Sequence, residues 1–149
     1  MNSSNSARDL QFLQDIYSNV KMGSDSIINL LPKVNDDEMK SFMTAQLDQY
    51  EKYATDIKSQ LIAKGVQPKE PSAVSKLSAK IGMEMKSMQD GTTSHMAEMM
   101  VQGSTMDVTD LLQKVNAYEK YDECKSSVKL AKEIVAFEEK NIEKMKEFL

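Results

Sequence analysis

Glu98, Glu138 and His95, the single histidine, are the side chains of this sequence best suited by type to hold a ligand. Carboxylates and imidazole are the donors that iron, manganese and zinc accept. Two carboxylates sharing a buried site cannot both stay charged without a cation, hydrogen-bond donors or a shared proton. On a helix His95 lies one turn before Glu98, and Gln102 lies one turn beyond it. Two readings follow. In one, Glu98, Glu138 and His95 form a reduced metal site. In the other, Glu138 belongs to a polar layer, bonded to Ser24 or Gln102, or turned to a solvated edge.

Methionine is the second chemical feature. There are 12 in the chain, and seven fall between Met83 and Met106. Thioethers are soft enough to hold Cu(I), but methionine at helical spacing is more often adaptable packing or a partner-binding face. Neighbours such as Met99 and Met100 cannot both face one point. Cys124 has no base nearby in sequence and reads as a packing thiol. Tyr17 and Tyr50 lie on inward positions from which a hydroxyl can bond a neighbour. Asp36, Asp37 and Glu38 form a helix-start cluster and lack the spacing of a calcium loop. Phosphate loops and nucleophile elbows are missing.

The elements that must position these groups are helices. Leu10, Leu13, Tyr17, Val20, Ser24, Ile27 and Leu31 follow a 3-4 alternation, with Ser6 as cap and Pro32 as stop. Asn35 is the cap candidate of a second helix with Asp36, Asp37 and Glu38 in its first turn, striped by Met43, Leu47, Tyr50, Ala54, Ile57 and Leu61 and stopped at Gly65. A third stripe is Glu98, Val101, Thr105, Val108, Leu112 and Val115. In the fourth, Tyr121, Val128, Val135, Ile142 and Leu149 recur every seven residues, and Cys124, Ala131, Glu138 and Met145 fill the companion positions. The spacing predicts long helices over 7–31, 36–64, 94–117 and 119–148. A shorter one is expected over 72–89, with Val74, Leu77, Ile81, Met85 and Met88 on one side.

With 149 residues the chain is expected to be a single domain, and with 40% apolar and 28% charged residues it has the composition of a globular protein. Its net charge of -4 and single arginine, Arg8, argue against nucleic-acid binding. One cysteine fits a reducing compartment. No apolar run approaches a membrane span, and the polar start lacks the core of a signal peptide, so the expected location is the cytoplasm.

Four stripes need a common core, and a bundle supplies it. Short links make helices one and two antiparallel neighbours, and likewise three and four. One helix over 72–117 would span about 70 Å, against about 35–40 Å for the first. A crossover over about 66–90 containing a short helix travels the bundle instead, so an up-down-down-up layout is expected, as in ferritin-like folds.

The chain resembles the ferritin-like superfamily. More narrowly, Ser94-His95-Met96-Ala97-Glu98-Met99-Met100-Val101-Gln102-Gly103-Ser104-Thr105-Met106 and Phe137-Glu138-Glu139-Lys140-Asn141-Ile142-Glu143 are similar to segments of small uncharacterised proteins of anaerobic Gram-positive bacteria. Catalytic members of the superfamily carry a carboxylate from each of two helices and a Glu-x-x-His pair from each of the others. Here no glutamate precedes Glu38, His95 precedes Glu98, and Glu138 is followed three residues on by Asn141. The resemblance thus implies the fold without the di-iron chemistry. The resulting expectation is a bacterial, cytoplasmic, non-catalytic binding or interaction protein with no cofactor, touching neither nucleic acid nor membrane. A homodimer is its partner option. The alternative is a metal-binding protein holding iron, manganese or zinc at Glu98, Glu138 and His95.

Overall fold

The computed structural model describes residues 6–70 and 92–149. Among them are four long helices and no strand: α1 (Ala7–Leu30), α2 (Asp37–Ala63), α3 (Thr93–Tyr118) and α4 (Lys125–Lys146). The short helix expected over 72–89 lies outside the described residues.

Local chemistry sets the helix ends. Ser6 accepts a hydrogen bond from the Asp9 backbone N–H at 3.0 Å and caps α1. A 3-10 turn at Leu31–Lys33, carrying Pro32, closes that helix. The cap of α2 is Asp36 rather than Asn35, accepting from the Met39 N–H at 2.8 Å, with Asp37 and Glu38 at the positive end of the helix dipole. Gly65 ends α2 at φ +80, a left-handed conformation that suits a residue without Cβ. Its neighbour Val66 donates back to the Leu61 carbonyl and Gly65 to that of Ile62, both at 2.9 Å, which completes a Schellman motif. Thr92 caps α3 by accepting from the His95 N–H at 3.3 Å.

The fourth helix begins later than its seven-residue period suggests, at Lys125 rather than 119. Helices over 94–117 and 119–148 would leave one residue for a reversal that needs several. Instead Tyr121 is extended (φ -103, ψ 120) and Asp122–Cys124 form a 3-10 turn. The Tyr121 ring then lies under the Arg8 guanidinium, 3.8 Å from its centroid.

Contacts at the two ends fix the helix directions. At one end Glu38 of α2 meets Lys144 of α4 at 4.0 Å, and Phe42 packs on Phe148 with centroids 6.3 Å apart. At the other end Phe12 of α1 stacks on Tyr118 of α3 at 4.4 Å, and Arg8 bonds Glu123. There Asp9 of α1 accepts from Ser127 of α4 at 2.7 Å and pairs with Lys64, just past α2, at 3.6 Å. So α1 and α4 run one way, and α2 and α3 the other. The chain leaves α2 at the end opposite the start of α3. Its first residues climb α1: Gln14 exchanges two hydrogen bonds with the Lys69 backbone, each 2.8 Å, and Tyr17 donates to Glu70 at 2.8 Å.

The core between the helices is apolar, with Phe12, Leu13, Ile16, Met43, Met96 and Ile134 fully buried. Among the described residues no helix is long and apolar enough to cross a membrane.

Asp9 joins three segments at one end of the bundle and is nearly buried. Asp9→Ala would leave the Ser127 hydroxyl and the Lys64 ammonium without it, a loss expected to cost about 1–3 kcal/mol in urea denaturation. Arg8→Ala, at an exposed pair, is expected to cost about 0–1 kcal/mol by the same measurement.

Candidate functional site

The sequence-expected trio is split by a rotation of α3. Its buried face carries Ala97, Ser104 and Leu111 together with Met100, Val108 and Val115. The expected stripe ran through Glu98, Thr105 and Leu112, each one residue later, and all three are exposed. One residue is about 100° of helix rotation, enough to carry a side chain from core to solvent. Outward, the Glu98 carboxylate keeps its hydration, whereas inward it would need a partner for its charge. His95 accompanies it: Nδ1 lies 3.8 Å from Glu98 Oε2, with side chains 46% and 58% exposed. Gln102 is also exposed.

Glu138 does face inward, with 0% exposure, as do its companions Cys124, Ala131 and Met145. The structure therefore brings His95 and Glu98 together on the surface and leaves Glu138 apart from them. Among the described residues no group of three or more histidine, cysteine or acidic side chains is placed to hold a metal ion. This corrects the inward placement expected of Glu98.

A different set of groups surrounds Glu138. The Tyr50 hydroxyl of α2 donates to its Oε2 at 3.0 Å. That partner comes from an inward tyrosine rather than from Ser24 or Gln102. Phe137 sets its ring edge-on to Tyr50, with centroids 5.1 Å apart at 82°. From α1, Gly23 lets the Tyr50 ring approach so closely that an added Cβ would stand 2.7 Å from Cζ. Asn19, one turn before Gly23, donates from Nδ2 to the Asp107 backbone carbonyl of α3 at 2.9 Å. Gln46 and Asn141 complete a buried polar layer. Glu138 Oε1, Gln46 Oε1, Asn141 Nδ2 and Asn19 Oδ1 have no hydrogen-bond partner among the described residues.

Electrostatics favour the neutral form of the acids here. Burial pushes the Glu138 carboxyl well above the carboxylate range, and the Asp107 charge adds to this more than the Tyr50 hydrogen bond opposes it. Burial likewise raises the Tyr50 phenol, helped by Glu138 and Asp107. Asp107 is pushed up to about 7, chiefly by burial and then by Asp110. A neutral acid that donates or accepts hydrogen bonds is the chemistry this arrangement offers.

The remaining candidates pack. The Cys124 thiol is buried, and burial followed by the Asp9 carboxylate holds it above its ordinary value, away from thiolate reactivity. Met96, Met99 and Met100 fill the core, while Met83, Met85 and Met88 lie outside the described residues. Asp107, Asn19 and Gln46 escaped the sequence reading because polar residues beside an apolar stripe look like its solvated border. The available signal was spacing: Gln46 stands three residues after Met43 and four before Tyr50.

Both raised carboxyls bind protons more tightly in the folded chain than in the unfolded one. Their contribution is fully present below the unfolded value and is lost as pH rises through the folded one. For Asp107 that window runs from 3.8 to about 7. The stability of the wild type relative to Asp107→Asn is therefore expected to fall across this window and level off above it, read by urea denaturation at several pH values. Glu138→Gln should remove part of the same slope. Gly23→Ala should cost about 1–3 kcal/mol by forcing the enclosed Tyr50 ring aside, read in the same assay. Comparison with protein-family models, curated proteins and solved structures finds no match to this chain.

Proposed function

We propose that this chain is a ferritin-like bundle, up-down-down-up with its crossover over 66–90, whose interior holds a neutral hydrogen-bonded layer instead of a metal centre. On this reading it acts as a non-catalytic binding or interaction protein of the bacterial cytoplasm, and a second copy of itself is the first partner to test. The observation that carries the reading is the partner of Glu138. It is the phenol of Tyr50, not a second carboxylate or an imidazole. A phenol O–H stabilises a carboxyl by donating a hydrogen bond but supplies no positive charge. Burial then favours the protonated acid, which is a poor metal ligand. The helix directions, with the chain leaving α2 at the end opposite the start of α3, support the ferritin-like layout.

Protein purified without chelator tests this directly. Metal analysis should find no stoichiometric iron, manganese or zinc, and adding each ion should leave the Tm unchanged. Stoichiometric metal that disappears in Glu138→Gln would overturn the reading in favour of a metal-binding protein. Light scattering tests the self-association part: mass should rise toward a dimer with concentration, and a strict monomer at high concentration would remove it.

A further inference from the structure

Three polar atoms near the middle of the bundle match one small guest. Glu138, Gln46 and Asn141 are 0%, 4% and 9% exposed, and Glu138 Oε1, Gln46 Oε1 and Asn141 Nδ2 lack hydrogen-bond partners among the described residues. Their helices bring them to similar heights. Gln46 lies four residues before Tyr50 on α2, and Asn141 three residues after Glu138 on α4. The two helices run oppositely and are pinned to each other by the Tyr50–Glu138 hydrogen bond at 3.0 Å. Both amides therefore fall on the same side of that bond, about 6 Å and about 4.5 Å along the axis at the usual helical rise. Asn19 falls on the other side with Asp107, because α1 runs with α4 and Asn19 precedes Gly23, which touches Tyr50.

We propose that Glu138 Oε1, Gln46 Oε1 and Asn141 Nδ2 form a binding site for a single internal water that links α2 to α4. The donor and acceptor types fit. Tyr50 donates to Glu138 Oε2, which leaves Oε1 to carry the proton of the neutral acid proposed above and to act as a donor. The Asn141 amide is a second donor, and the Gln46 carbonyl is an acceptor. A water accepts from the first two and donates to the third, making the three hydrogen bonds typical of a buried water. A metal cation has no such fit, because two of the three groups present hydrogens to it. This site deepens the neutral-layer reading and rests on it.

A high-resolution crystal structure of the full chain, with magnetic relaxation dispersion of solvent water in solution, tests the proposal. The crystal should show one water within hydrogen-bond distance of all three atoms. In solution, Gln46→Met, similar in length but without the acceptor, should lose one long-lived water relative to the wild type, while the exposed Gln102→Met should lose none. A direct hydrogen bond from Glu138 Oε1 to either amide, or an unchanged count in Gln46→Met, overturns the water site and leaves the neutral layer standing. A metal ion at Glu138 overturns both. The wild-type crystal decides the matter even if Gln46→Met fails to fold.

Discussion

A carboxyl group with no exposed surface must be neutral or paired, and at Glu138 the protein supplies a phenol. Leaving an ionised carboxylate unpaired in the interior costs several kcal/mol, whereas one hydrogen bond contributes only about 1 kcal/mol net. Protonation is the cheaper solution. Several local features follow from it. Gly23 lacks a side chain because the Tyr50 ring occupies the space where its Cβ would stand. Phe137 covers one side of that ring. Three further polar side chains, Asn19, Gln46 and Asn141, are drawn into the same stretch of the bundle. With the Phe42–Phe148 and Glu38–Lys144 contacts, this bond sets the height of α2 against α4, two helices that are not joined in sequence.

The ends of the bundle complement this centre. Asp9 stands where α1, the residue after α2, and the first turn of α4 meet. Its charge faces the positive end of the α4 dipole, a cap supplied from another helix where Cys124 offers no side-chain cap of its own. At the far end the Phe42–Phe148 contact and the Glu38–Lys144 pair close the opposite mouth. Apolar packing provides most of the cohesion, and these polar contacts choose among the ways four striped helices could be aligned.

The fold was legible from the sequence wherever one signal dominated. Pro32 and Gly65 stop helices for reasons of backbone chemistry, and the first two stripes have apolar residues at nearly every position. The third helix was not legible to within one residue. Val101, Val108 and Val115 fit either of two adjacent registers, and methionines, serines and threonines on both sides leave little contrast to choose between them. Only packing against α1 and α4 resolves it, toward Ala97, Ser104 and Leu111. The same ambiguity decided the site. Glu138 was correctly placed because Ala131 and Met145 flank it seven residues away on an otherwise charged helix. Glu98 was misplaced with the register, and apart from Asn141 the polar groups of the layer around Glu138 come from three other helices. Spacing along one helix can mark a residue such as Gln46 as inward, but it cannot show which groups from different helices meet.

The protonation state of Glu138 is the most direct test of the central claim. Infrared spectra of the wild type and Glu138→Gln at neutral pH should differ by the C=O stretch of a protonated carboxylic acid, shifted by its bond to Tyr50 and altered in Tyr50→Phe. A difference spectrum showing only an ionised carboxylate would contradict the account.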